Sequence, residues 1–256
     1  MMFLSKDDLK LAYGVDMLIG ETYVNRQVPQ DNLYWKNRKI YVPSAPGYTF
    51  MPIFSDLLYR CGADRQQLMG EDFLQLSEAI LHSAALLEHK QLGWEAHVAE
   101  VAALVAPRVV DSKLFEELKA YAGKFHPIKA GDERLGTVFP SLNRADSYLF
   151  CLVIISSSSF DVDKAIRAWY ALMAYFLILD DLADIREDLM NGEENVLIDA
   201  GLDEAGAKKV AEMIDKATER FDNKRDSLYN DTELKLQALE DRLNKKVQTV
   251  LDNPLA

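Results

Sequence analysis

Asp180, Asp181, Asp184, Glu187 and Asp188 follow directly on twelve residues without a charge, 168–179, in the stretch AWYALMAYFLILDDLADIREDLMN. Spacing of i, i+4 and i+7 or i+8 stacks Asp180, Asp184 and Glu187 or Asp188 on one helix face. Carboxylates this close repel, and they stand toward a helix C-terminus, where the macrodipole already disfavours negative charge. Only Arg186 offsets them locally. The cluster therefore asks for a cation. Hard oxygen ligands from one or two carboxylates, completed by a substrate phosphate, are the ordinary surroundings of Mg2+. The bland alternative is a core helix that emerges into water and turns acidic.

The elements that would position these acids are helices. Seven of the eight prolines, Pro29, Pro43, Pro46, Pro52, Pro107, Pro127 and Pro140, precede residue 141 and fall between segments of helical periodicity. The pattern predicts helices at 5–20, 52–61, 67–91, 94–106, 112–124, 143–157, 161–191, 203–224 and 231–252. Strand alternation is nearly absent. YLFCLVII, 148–155, is apolar throughout and fits a buried strand or a buried helix by period, and its neighbours favour helix. Residues 33–49 read as an extended loop or short hairpin, and Ser156 to Ser159 as a local break. Leu236, Leu239, Leu243, Val247 and Val250 give the last helix an apolar face for packing within the subunit or across a dimer.

Composition narrows the setting. The 256 residues suffice for one large core, and with no repeat or linker to divide them a single all-α domain over 1–256 is expected. The formal charge of -12 argues against nucleic acid and anionic membrane, both bound chiefly through clustered Lys and Arg. Cys61 and Cys151 lie in apolar segments without metal-ligand spacing and read as buried thiols of a reducing compartment. The first residues lack a secretory apolar region, and the uncharged run at 168–179 is shorter than the ~20 residues a membrane helix needs. A cytoplasmic location follows as the expectation.

Glu78 and His82 share a helix face, but no histidine has a Glu three residues earlier, which weighs against a di-metal bundle. Glu95, His97 and Glu100 read as a polar helix face. No nucleophile elbow, phosphate-binding glycine loop or Cys-x-x-Cys pair is present.

Four stretches, taken in order, carry a family resemblance. FLILDDLAD resembles the second aspartate-rich motif of trans-polyprenyl diphosphate synthases, which have the class I isoprenoid synthase fold. LSEAILHSAALLEHKQLG, 76–93, is similar to the helix that carries the family's first such motif, with His82, Ser83, Ala84, Leu86 and Leu87 in register. GYTFMP, 47–52, keeps the Gly and Pro of GKRLRP, and ADSYLF, 145–150, stands in the place of KTAxLF. The resemblance implies a multi-helix bundle around a cavity, with Asp180, Asp181 and Asp184 as Mg2+ ligands. It also implies that Ala84, Ala85, His89, Lys90, Tyr175 and Phe176 face that cavity.

The departures are as informative. Where the first motif should read DDxxD, this chain has His89, Lys90, Gln91, Leu92 and Gly93. Tyr48, Thr49 and Met51 replace the basic residues of GKRLRP, Ala145 and Asp146 replace the Lys and Thr of KTAxLF, and Leu177 replaces a Gln. A trinuclear Mg2+ cluster needs carboxylates from both walls, so the resemblance here implies lost chain elongation. Either Lys90 pairs with Asp180 or Asp184 in place of the metal, which would make its removal costly in a shielded cavity, or a single Mg2+ site persists. Three functions follow as expectations. The first is a non-catalytic partner subunit, in a homodimer or a heteromer with an active synthase, or a binder of a prenyl diphosphate or other apolar chain. The second is a diverged Mg2+-dependent prenyltransferase or terpene-cyclase-like enzyme, and the third an unrelated helical interaction protein.

Overall fold

The computed structural model describes residues 5–26, 50–88, 90–123 and 134–221. Among them all regular structure is helical and no strand occurs. No described helix is long and apolar enough to cross a membrane. The predicted hairpin at 33–49 and helix at 231–252 lie outside the described residues. The chain divides into two compact units, Met1–His126 with Ala145–Ile166, and Pro127–Arg144 with Arg167–Ala256.

The first unit holds α1 (Lys6–Tyr13), α2 (Met17–Val24), α3 (Phe50–Arg60), α4 (Arg65–Met69), α5 (Glu71–Glu88), α6 (Trp94–Val105) and α7 (Ser112–Ala122). Two predicted helices are each divided by a glycine. Gly14 takes φ 65 between α1 and α2, and Gly70 separates α4 from α5. Aspartates cap the starts of α2, α4 and α7: Asp16 accepts from Leu18 and Ile19 N–H, Asp64 from Gln66 N–H, and Asp111 from Leu114 N–H.

The centre of this unit is the stretch that period could not resolve. Asp146–Ile154 forms a nine-residue 3-10 helix with every residue buried, packed against α5, α6 and α7. Such runs seldom exceed four residues, because their hydrogen bonds are poorly aligned. Here a sequence without a polar side has three helices to cover it. Both ends are tied. Tyr121 Oη donates to Asp146 Oδ2 at 2.6 Å, and the Val153 carbonyl accepts from Val110 N–H at 2.8 Å and Asp111 N–H at 3.0 Å.

The serine run that follows is a clasp. Ser157 Oγ and Ser159 Oγ both donate to the Gly62 carbonyl, at 2.6 and 2.9 Å, and Asp161 N–H donates to the Cys61 carbonyl at 2.8 Å. Gly62 has φ 95, and a Cβ there would overlap the Ser159 carbonyl oxygen.

The second unit contains most of α8 (Val162–Asn191), then α9 (Val196–Asp199) and α10 (Glu204–Phe221). Ala174, Ile178, Leu182 and Ile185 form a stripe of helical spacing that packs with Phe139, Leu142, Val196, Leu197 and Val210. The segment 134–144, ending in a short 3-10 turn at Pro140–Asn143, lies against α9. Gly206 lets α10 approach α9 closely, since a Cβ there would overlap the Ala200 carbonyl oxygen.

Candidate functional site

Helix α8 sorts its acids onto two faces. Asp180, Asp184 and Glu187 are exposed, whereas Asp181 and Asp188 join Leu182 and Ile185 on the buried side. Asp181 is only 2 % exposed, and an uncompensated carboxylate at that depth would be strongly unfavourable.

The compensating cation is Arg144. Its Nη2 donates to Asp181 Oδ1 at 2.7 Å and lies 3.8 Å from Asp180 Oδ2, while Nη1 donates to the Ser141 carbonyl at 2.8 Å and, at the limit of bonding, to Asp181 Oδ2 at 3.5 Å. Asp181 Oδ2 also accepts Val196 N–H, the first of α9, at 2.7 Å. Burial pushes the Asp181 carboxyl above the usual carboxylate range, with the Arg144 charge and hydrogen bonds and then the Val196 N–H opposing the rise. Both oxygens thus carry donors, which leaves little of the carboxylate for a metal ion.

Asn195 completes the arrangement. Its Nδ2 donates at 2.7 Å both to the Asp181 carbonyl and to Asp188 Oδ2, while its Oδ1 caps α9 by accepting Leu197 N–H at 2.9 Å. Asp199 Oδ2, from the last turn of α9, accepts Ser141 N–H at 2.8 Å. The 141–144 strap, the acidic end of α8 and the short α9 are therefore one polar lock over an apolar core.

The other residues singled out in the sequence fall as follows. Ala85 is fully buried, Ala84 half-buried, and Phe176 buried. Lys90 is exposed, in the turn that ends α5, at a left-handed φ of 57. It belongs to the first unit and the acids to the second. His89 and the side chain of Tyr175 are outside the described residues. Among the described residues no group of three or more His, Cys, Asp or Glu is placed to hold a metal ion.

Two further polar clusters are buried in the first unit, and one of them revises the sequence reading. His97 is not on a polar face: it is 1 % exposed, and its Nδ1 lies 3.0 Å from Ser83 Oγ, itself fully buried. The serine proton goes to Glu100 Oε2, 2.7 Å away, so the serine oxygen must accept from His97 Nδ1–H. This direction is the reverse of a base drawing a proton from a nucleophile. Burial holds the imidazole below the ordinary histidine value. Glu78, which shares a helix face with His82, receives Arg26 in a fork, Nε to Oε1 at 2.7 Å and Nη2 to Oε2 at 2.8 Å.

Sequence reasoning missed Arg144 and Asn195. A signal existed for each: Arg144 is the only basic residue between Arg134 and Lys164, and Asn195 has the type and place of an N-cap. Neither tells which carboxylate will be met, 37 residues away along the chain for Arg144 and 7 for Asn195.

Comparison with protein-family models, with curated proteins and with solved structures gives no match for this chain.

Proposed function

We propose that this chain is a polyprenyl-synthase-like helical protein of the class I isoprenoid synthase type that has lost chain elongation, and acts as a non-catalytic partner of an active synthase or as a binder of an apolar prenyl chain. The resemblance rests on the four stretches quoted above. The observation that carries the loss of chemistry is Asp181: one of the three carboxylates aligned with metal ligands is buried and bonded by Arg144 and Val196 N–H. A carboxylate so occupied contributes to the fold, and the chain needs no Mg2+ to neutralise it. The replacement of the other acidic motif by His89 and Lys90 points the same way.

The test is pyrophosphate release from allylic diphosphates, alone or with the homoallylic five-carbon unit, with and without Mg2+. No release is expected, from a folded sample whose melting temperature is indifferent to Mg2+. Retention of a complete synthase, or of a prenyl chain, then identifies which non-catalytic role applies. Failure of both leaves an unrelated helical interaction protein.

One observation favours the second reading. Asp180 and Asp184 are exposed and one turn apart, an arrangement open to a single Mg2+ and a substrate phosphate. In that case the two carboxylates would hold the ion, which would stabilise the departing diphosphate. Release that requires Mg2+ and disappears in Asp180→Asn would establish this diverged enzyme and end the non-catalytic reading.

A further inference from the structure

Helix α6 is held by a narrow stripe. Of its residues only His97, Val101 and Val105, at i, i+4 and i+8, are buried, while Glu95, Ala96, Ala99, Glu100 and Ala103 are exposed. Val101 and Val105 anchor the second half. The first half rests on His97 and on Trp94, whose Nε1–H donates at 2.9 Å to the carbonyl of Ala122, the last residue of α7. The two rings lie 5.7 Å apart between centroids and are tilted by 51°. One of the two supports is therefore a titratable group.

Three features set the charged form of His97 against this place. At 1 % exposure an imidazolium would give up its hydration. The residue stands in the first turn of α6, where the macrodipole disfavours positive charge, and the cap residue Gly93 brings no side chain to the free N–H groups there. Its Nδ1–H already serves Ser83 Oγ, and among the described residues no group accepts from Nε2, the atom that gains the proton. Glu100 is the charge that opposes these effects, and it is exposed to water. The charged groups of the elements packed against α6 are engaged elsewhere: Glu78 with Arg26, Asp146 with Tyr121, Lys119 with Glu116, and Arg108 with the Leu104 carbonyl. Neither these nor His82, half-buried on α5, adds to the field at His97.

We infer that the first half of α6 is an acid-released latch. When His97 takes up a proton, residues 94–100 come away from α5, Trp94 leaves the Ala122 carbonyl, and Val101 and Val105 keep the rest of the helix seated. The sign follows from burial, which holds the closed imidazole below the ordinary histidine value. The open form then binds the proton first, so acid favours it.

The test is hydrogen exchange of the full chain, read on peptides at pH 7.5 and 5.5 and corrected for the chemical effect of pH on exchange. An open form whose histidine has the ordinary value of about 6.5 gains up to about tenfold in population over that interval, and exchange of 94–100 should rise by about three- to tenfold. The buried segment 146–154 serves as the reference for unfolding of the whole chain. Exchange of 94–100 should be faster than that of 146–154 at both pH values and indifferent to low urea, because releasing half a helix exposes little surface. His97→Gln keeps a donor but cannot titrate, and should abolish the acid effect on 94–100. A rise below about threefold, exchange that follows 146–154 and urea, or an acid effect that survives in His97→Gln would each overturn the latch. Should that variant misfold, the parent decides: by NMR the imidazole that cross-relaxes with the Trp94 ring should titrate below about 6.5, and a midpoint at or above that value counts equally against the latch.

Discussion

Replacing Arg144 by Met keeps much of the side-chain volume and removes the guanidinium. Asp181 then keeps Val196 N–H but loses the cation, while remaining buried beside Asp180. Removing one partner of a buried pair costs about 3–5 kcal/mol. Arg144 is itself 24 % exposed, so water can approach the vacated place and the low end, about 3 kcal/mol, applies. For a chain of this size that corresponds to a fall in melting temperature of about 6–12 °C. The assay is denaturant unfolding at pH 7 for the parent, Arg144→Met, Asp181→Asn and the double variant. Neutralising Asp181 removes the charge that Arg144→Met leaves unpaired, so the double variant should be more stable than the sum of the single losses, by at least about 1 kcal/mol. Acidification gives an independent readout. Without Arg144 one of the influences opposing the burial of Asp181 is gone, its carboxyl rises further, and protonation relieves the variant first. The gap between parent and Arg144→Met should therefore narrow as pH falls from 7 toward 5. A loss below about 1 kcal/mol, or strict additivity in the cycle, would refute the assignment of Arg144 as the cation of this site.

Gly206→Ala offers a reversal of sign: alanine in a helix normally stabilises by about 1 kcal/mol, but here its Cβ meets the Ala200 carbonyl and calorimetry should show a loss. Gly62→Ala should cost at least about 2 kcal/mol, read from the denaturant midpoint, because it combines a strained φ with a clash on the serine clasp. Lys90→Gly should raise stability by about 1 kcal/mol, since the left-handed turn favours glycine and Lys90 is exposed; a loss would show that its charge has a stabilising partner. His97 is held below its ordinary value by burial, so the unfolded chain takes up the proton first. Stability should fall as pH drops below about 6.5, and urea midpoints at pH 7.5 and 5.5 should differ less in His97→Gln.

The helices were legible where proline, glycine and capping aspartates punctuate an apolar period. The sequence ranges at 94–106, 112–124 and 161–191 match α6, α7 and α8 within two residues. The divisions at Gly14 and Gly70 were less visible, because the apolar pattern runs on across them. At 146–154 a helix was expected, but its 3-10 type was not legible. A segment apolar on every side has no period to read, and its type is set by the helices that enclose it. At the candidate site the clustering of acids, and their need for a cation, could be derived from repulsion alone. Which acids turn inward follows from the core stripe at Ala174, Ile178, Leu182 and Ile185, with which Asp181 and Asp188 share a side. The identity of the cation did not follow, because the strap that brings Arg144 to Asp181 is placed by tertiary packing of Phe139 and Leu142.

The 3-10 helix at the centre of the first unit also acts as a ruler. At about 2.0 Å per residue its nine residues span about 18 Å, whereas an α-helix of the same residues would span only about 13.5 Å. Tyr121 holds one end through Asp146, and Val110 with Asp111 hold the other through the Val153 carbonyl. The distance between those anchor points thus selects the helix type. A one-residue deletion within 146–154 would shorten the rod by only about 2 Å but turn everything beyond it by about 120°. Length is therefore the property of this segment least free to drift, and its apolar side chains can be exchanged far more readily than their number.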